Sequence, residues 1–332
     1  MSSLSPRVLG TALLFAVLLR ASFYPQALSL VPAPIPPANA RDVAARALRD
    51  GHAQNAPSSR RQPPGGCPRP GGCDVARRES LDFFSDIVDE DWARLKIRFA
   101  ETPSHHDDNG RAAEPHIWYQ LNWDPSFTCQ HERRVGGTGD GPKWVCDPHR
   151  IDSKRCLVYS VGSNNDFSFE ESVLREVSES CEIHTFDPTV GLNPSRKPDT
   201  VNFHPWGLAA TNFMREGQTF KTMKQIVKEL GHEGRTIDVL KVDCEGCEWE
   251  TYTGWFGVGA DVRQVQVELH RGTSTSNGSI EPVADRFLTH LRDLGYVIFH
   301  KESNTFGCKG DCIEYAFLKL AKAFQHATGV ME

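Results

Sequence analysis

No excess of basic residues marks this chain: its formal net charge is −6, and its arginine pairs (Arg60-Arg61, Arg77-Arg78, Arg133-Arg134) are short and scattered. Gripping a nucleic-acid backbone needs a clustered basic face, so no nucleic-acid partner is expected and the pairs read as solvated surface. Long apolar runs are missing too. The uncharged stretch VLGTALLFAVLL, residues 8–19, falls short of the roughly twenty residues a membrane span needs. Coming after Arg7, it suits the hydrophobic region of a signal peptide, with Ala38-Asn39-Ala40 as a candidate cleavage site. Residues 21–30 are again fairly apolar, so residues 1–24 read as a signal peptide or a signal anchor, the second attaching the protein to a membrane. No acidic residue precedes Asp42, which makes an organelle transit peptide the other reading.

What the chain does have in number is cysteine. Its ten residues, Cys67, Cys73, Cys129, Cys146, Cys156, Cys181, Cys244, Cys247, Cys308 and Cys312, suit an oxidising compartment. Asn277-Gly278-Ser279 is a glycosylation acceptor in a polar stretch, consistent with a glycoprotein of the secretory pathway. Residues 25–78, rich in Pro, Gly and Arg, offer too little apolar surface to offset the entropy of ordering and read as a disordered linker. From 79 to 99, Leu81, Phe84, Ile87, Trp92, Leu95 and Phe99 recur near helical spacing and predict an amphipathic helix. Residues 116–150 are aromatic and turn-rich, an irregular extension with Cys129–Cys146 as a candidate staple; 79–150 forms one N-terminal segment.

Beyond Ile151 short apolar runs alternate with longer amphipathic ones. Strands are expected at 156–161, 182–186, 201–208, 237–242 and 262–269, with helices at 167–178, 219–230 (capped by Gly231) and 282–294. Two last strands, 296–299 and 312–320, follow as an antiparallel edge hairpin. Alternation at this spacing implies an α/β domain over residues 151–322: a Rossmann-like, mostly parallel seven-stranded sheet with an antiparallel C-terminal hairpin. Cys156 and Cys181 lead into neighbouring strands and could bridge, and Cys308–Cys312 could clamp the hairpin.

In such a sheet the ligand sits at the carboxyl ends of the strands, near the point where strand order reverses. The first strand delivers Gly162, Ser163 and Asn164 there, with Gly162 allowing close backbone approach. The second ends in Asp187, which could accept both hydroxyls of a ribose or, preceding Pro188, simply form a turn. Gly162 lacks the further glycines of G-x-G-x-x-G, so a pyrophosphate ligand is disfavoured and one without phosphates, such as S-adenosylmethionine, is favoured. After the fourth strand come Asp243, Glu245 and Glu248, three carboxylates that cannot all be buried unpaired. Glu268 and His270 end the fifth strand on one side by the two-residue period. No spacing here fixes a metal geometry. Cys244 and Cys247 lack a second pair at zinc-ligand spacing, and the loop residues His105 to Asp108 read as solvated.

The run KVDCEGCEWE (241–250) with QVELH (266–270) resembles the FkbM-type branch of S-adenosylmethionine-dependent methyltransferases. LVYSVGSNNDFSFEESV (157–173), CEIHTFDPTV (181–190) and the closing hairpin add a likeness to the methyltransferase-like proteins of the secretory pathway. The resemblance implies a Rossmann-like methyltransferase fold using S-adenosylmethionine. It assigns Gly162 to the first motif, Asp187 to the ribose and Asp243 with Glu245 to the D-x-E-G motif. The family's usual acid before the first glycine is here Ser160, so a catalytically inactive binding or interaction domain is the alternative. For catalysis, His270 is the candidate general base toward a hydroxyl acceptor, or else a structural histidine, with Glu245 and Asp243 as alternatives or orienters. The expected acceptor is a small molecule or glycan.

Overall fold

The computed structural model describes residues 66–105, 115–191, 195–271, 283–305, 307–308 and 311–326. The leader, most of the linker, Asn277 and His106 to Asp108 lie outside them.

The N-terminal segment holds two helices where one was expected: α1 (Asp74–Glu79), which starts inside the stretch read as linker, and α2 (Asp89–Glu101). Leu81 and Asp82 between them take left-handed backbone, φ 55° and 67°, which no continuous helix allows. The break is held by Asp89, whose carboxylate accepts from the backbone N–H groups of Val75 and Ala76 at 2.9 and 3.0 Å. Trp92 on α2 is fully buried against Phe84, Phe127 and Phe324, and its indole donates to Glu79 at 2.8 Å. The segment is thus built into the core. Helix α3 (Pro115–Leu121) and the short ribbon of β1 (Arg133–Val135) and β2 (Lys143–Val145) complete it, joined to the rest of the segment by the Cys129–Cys146 bridge.

The main sheet has seven strands. Its members are β3 (Leu157–Val161), β4 (Glu182–Phe186), β5 (Val201–His204), β9 (Thr236–Val242), β10 (Asp261–His270), β11 (Tyr296–Asn304) and β12 (Cys312–Lys319). They lie in the order β11-β12-β10-β9-β3-β4-β5, with only β12 antiparallel to its neighbours. Strands β3 and β9 are buried almost throughout because both faces are covered, as central parallel strands require. Helices α4 (Ser168–Glu176), α5 (Met223–Leu230) and α6 (Val283–Asp293) supply the cover, with Phe169, Val173, Ile226, Val227, Phe287 and Leu291 facing inward. The closing strands form the expected antiparallel edge hairpin, in which β12 inserts beside β10 and β11 is the edge strand.

Two further differences lie near the crevice. The run 201–208 is interrupted at Pro205, which has no N–H for the ladder. β5 therefore stays on β4, while β6 (Trp206–Leu208) leaves to form a three-stranded sheet with β7 (Phe213–Arg215) and β8 (Gln218–Lys221). A two-residue turn joins β7 to β8, Glu216 and Gly217 both having positive φ as a tight hairpin of this hand demands. Consequently α5 starts at Met223 and not at 219. Thr222 caps it, accepting from the Gln225 N–H at 3.1 Å, and left-handed Gly231 closes it as expected. The chain runs from β3 outward to β5, then returns to β9 on the other side of β3. That reversal opens a crevice between the carboxyl ends of β3 and β9.

Candidate active site

The loop after β3 is packed against the end of β9. A Cβ on Gly162, which has φ +83°, would lie 1.7 Å from the Asp243 carbonyl oxygen. Glycine is required here by the neighbouring strand, whatever approaches from the crevice. Lys241 donates from Nζ to the Gly162 carbonyl at 2.6 Å and closes the same junction. Asn164 and Asn165 follow in left-handed backbone. Asp187, at the end of β4, holds this loop from the other side. One carboxylate oxygen accepts from the Ser163 N–H, the Ser163 hydroxyl and the Asn164 N–H at 2.8–3.1 Å; the other accepts from the Thr189 N–H and hydroxyl. Burial opposes its ionisation, but these donors outweigh burial and keep its carboxyl below the usual range.

Together these residues line a cavity of about 520 Å³ at the carboxyl ends of β3, β4 and β9. Phe186, Leu208 and Phe220 form an apolar wall, the last two contributed by the small sheet. Gly162, Ser163, Asn164, Asp187, Asp243 and Glu245 lie on the polar side, and Asp140 of the β1–β2 ribbon closes one edge. Five carboxylates (Asp140, Asp166, Asp187, Asp243, Glu245) face two cations, Arg215 and Lys241.

A family described as "Methyltransferase domain" matches residues 74–319. The chain belongs to this methyltransferase family. Its seven-stranded sheet is the Rossmann-like fold of S-adenosylmethionine-dependent methyltransferases. Solved structures give remote similarities. One is the fibrillarin pre-rRNA processing protein of Methanococcus jannaschii, at 8% identity and TM-score 0.33 over 52% of this chain and 70% of that one. Another is in a fibrillarin/Nop5p complex, at 12% identity and TM-score 0.35, covering 58% and 92%. Bluetongue virus VP4 gives 14% identity and TM-score 0.30, covering 70% and 36%. No curated protein sequence matches with significance.

The methyltransferase places the other expected site residues unequally. Glu245 stands at the cavity rim with its side chain 86% exposed, in left-handed backbone. Beside it Cys244 and Cys247 are disulfide-bonded, a pairing not anticipated, as is Cys67–Cys73. His270 is off the cavity lining. Its Nδ1 lies 3.1 Å from Glu248 and its Nε2 3.4 Å from Glu245. Burial would lower its pKa, yet the hydrogen bond and charge of Glu248, with Glu268 and Glu245, push it up to about 9. An imidazole already protonated at neutral pH has no lone pair to act as the general base. These surroundings favour the other reading of His270, a structural histidine held by Glu248. Glu248 is fully buried and ties its surroundings together, accepting from the Gly246 N–H at 2.9 Å and the His270 N–H at 2.9 Å.

The sequence reading passed over Lys143, which β2 inserts behind Asp243. It is 1% exposed, with Nζ 3.1 Å from Asp243, 2.6 Å from Glu314 and 3.8 Å from Glu268. Burial disfavours its charge, but the three carboxylates overcome this and raise its pKa. In return Lys143 and Lys241 hold Asp243 well below the carboxylate range against its burial. Glu268 and Glu314 face each other across the β10–β12 ladder. Burial, with the charges of Asp243 and Glu314, pushes Glu268 up to about 8, and burial also raises Glu314. Asn304 donates to Glu268 and Asp140, both at 2.7 Å, linking the cluster to the cavity edge. An ammonium group thus sits where Asp243 and Glu268 could have received a metal. Ser160, two residues before Gly162, is fully buried with a hydroxyl that has no hydrogen-bond partner.

Proposed function

We propose that this methyltransferase takes S-adenosylmethionine as donor and methylates an oxygen of a small-molecule or glycan acceptor in the secretory pathway. The cavity carries the proposal. Its volume is that of a small-molecule site. Its excess of carboxylates favours a cationic ligand such as a sulfonium and disfavours the pyrophosphate of a dinucleotide or sugar nucleotide. The donor set therefore fits S-adenosylmethionine, which when bound supplies an electrophilic methyl group. Phe186, Leu208 and Phe220 offer the surface for its base. Ser163 and Asn164, held in place by Asp187, offer the polar edge beside it. Asp187 reaches a ribose only by exchanging donors it already holds, so its first contribution is to shape the loop. Glu245 is the carboxylate at the rim, placed to take the acceptor's proton. Asp243, held ionised by Lys143 and Lys241, supplies fixed negative charge behind it.

The compartment is supported by the cysteines, all ten of which are paired in five disulfides. Among the described residues no helix is long and apolar enough to cross a membrane, and attachment through residues 1–24 belongs to the proposal. Calorimetric titration of the purified chain with S-adenosylmethionine and S-adenosylhomocysteine tests the donor. Saturable binding of both at one site is expected. A well-folded chain that binds neither would leave a Rossmann-like binding scaffold, the alternative reading.

A further inference from the structure

At the opposite end of β4 from the cavity, two imidazoles meet at one carboxylate. Glu182 Oε1 is 2.9 Å from His184 Nε2 and 3.1 Å from His232 Nε2. The two rings meet nearly at right angles, with an interplanar angle of 78° and centroids 4.9 Å apart. His184 and His232 are 6% and 4% exposed, while the Glu182 side chain is 39% exposed and opens the group to solvent. We propose that Glu182, His184 and His232 form a binding site for a zinc-class divalent transition metal, ligated through Glu182 Oε1 and Nε2 of each histidine.

Three groups of side chains among the described residues bring candidate ligand atoms within 4.8 Å of one another. Two of them, around Cys129–Cys146 and around Cys308–Cys312, have their sulfur atoms in disulfide bonds. Only the Glu182 group keeps all its donors free for a metal. Two imidazoles and a carboxylate are a donor set that zinc accepts, with the fourth position left to water. Ligand atoms in a tetrahedral zinc site lie roughly 3.3 Å apart, given Zn–N and Zn–O bonds of about 2.0–2.2 Å. The metal-free contacts need to open by only a few tenths of an ångström.

The outer atoms are arranged as a metal site requires. His184 Nδ1 is 2.9 Å from His204 Nε2, and His232 Nδ1 is 2.7 Å from the Tyr159 hydroxyl. Glu182 Oε2 accepts from Arg235 at 2.6 Å, leaving Oε1 as the ligating oxygen. Without metal, both Nε2 atoms donate to Glu182, and the Nδ1 atoms accept from His204 and Tyr159. With metal, each proton moves to Nδ1, the Tyr159 hydroxyl turns to accept, and His204 presents its lone pair. Each ring stays neutral and no proton is lost from the set. Burial lowers the pKa of His184, His204 and His232, which keeps the imidazoles in the form that ligates. Such a metal would tie β4 to the turn between α5 and β9.

The test uses the full chain, stripped with chelator and titrated with Co²⁺ as a spectroscopic stand-in for Zn²⁺, then with Zn²⁺ itself. The expected result is one equivalent bound, visible d–d absorption of a four- or five-coordinate centre, its displacement by Zn²⁺, and an upward shift in Tm. Glu182→Gln and His232→Asn should abolish the bands. Tyr159→Phe, which alters only an outer partner, should weaken binding roughly 10–100-fold. His270→Asn should leave stoichiometry unchanged. A folded wild-type chain that binds no metal overturns the proposal. So does a metal retained by Glu182→Gln and Tyr159→Phe at wild-type affinity, or one lost in His270→Asn.

Discussion

Replacing Lys143 by Met removes a cation from a site where it is 1% exposed and lies between Asp243, Glu314 and Glu268. Methionine has about the right volume, so the packing loss is small and the charge is the main variable. Removing one partner of a buried ionic group leaves its carboxylates without a counter-charge, at about 3–5 kcal/mol. For a domain of this size that is a fall in Tm of roughly 6–20 °C, at about 2–4 °C per kcal/mol. The pH dependence gives the sharper readout. In the wild type, Lys143 holds Asp243 low. Without it, the folded-state pKa of Asp243 rises above its unfolded value, and that of Glu314, already raised by burial, rises further. Stability is then greatest where they are protonated and falls as pH rises through the new values. The deficit of Lys143→Met relative to wild type should be small near pH 5 and large near pH 8, read by thermal and urea melts. Adding Glu314→Met, which pairs apolar with apolar, should recover part of it. A single variant within about 1 kcal/mol of wild type at both pH values would refute a charged, load-sharing Lys143.

Glu268→Gln should remove a different pH dependence. The wild-type group titrates near 8 instead of 4.5, so its contribution is present at low pH and is lost as pH rises between those values. At about 1.36 kcal/mol per unit, the variant should gain on wild type by a few kcal/mol between pH 5 and 8; parallel pH–stability curves would contradict this. Gly162→Ala forces a Cβ against the Asp243 carbonyl at positive φ and should destabilise by more than about 4 kcal/mol; an unchanged Tm would show that the β3–β9 junction is misplaced. Asp187→Asn exchanges an acceptor oxygen for a donor facing N–H groups. It should cost about 1–3 kcal/mol and expose the loop at 162–166 to protease, and an uncleaved loop would count against its anchoring role.

How much of this was legible beforehand follows from how local each determinant is. The sheet was readable because β3 and β9 are buried on both faces and mainly apolar, LVYSV and TIDVLKV, and because β10 carries Val265, Val267 and Leu269 at alternate positions. Bridges between cysteines that flank adjacent strand starts, or sit across a short turn, followed from the same frame, and Cys156–Cys181, Cys308–Cys312 and Cys129–Cys146 are all formed. The three-stranded sheet was not readable. Its hairpin turns on Glu216-Gly217 without the usual Asn or Asp, and 219–230 keeps an apolar spacing that suits a helix until Thr222 caps it.

The site was legible in its residues and not in their charge states. Asp243, Glu245 and Glu268 were visible as carboxylates needing partners, but the partner, Lys143, comes from β2, a hundred residues before Asp243. One signal pointed to it. Glu314 interrupts CIEYAFLK, a strand otherwise buried and mainly apolar, and an acid in that position requires a cation from elsewhere in the chain. Lys241 of β9 supplies one cation near Asp243 from within the sheet; the second, Lys143, comes from outside it and shares the buried side of its strand with Val145. His270 illustrates the converse. Its position at a strand end suggested a base, whereas the carboxylates gathered around it, Glu248 above all, make it an acid by mass of negative charge. Under the proposed oxygen methylation, the proton acceptor is then sought among carboxylates that solvent reaches, and Glu245, exposed at the cavity rim, is the proposed one.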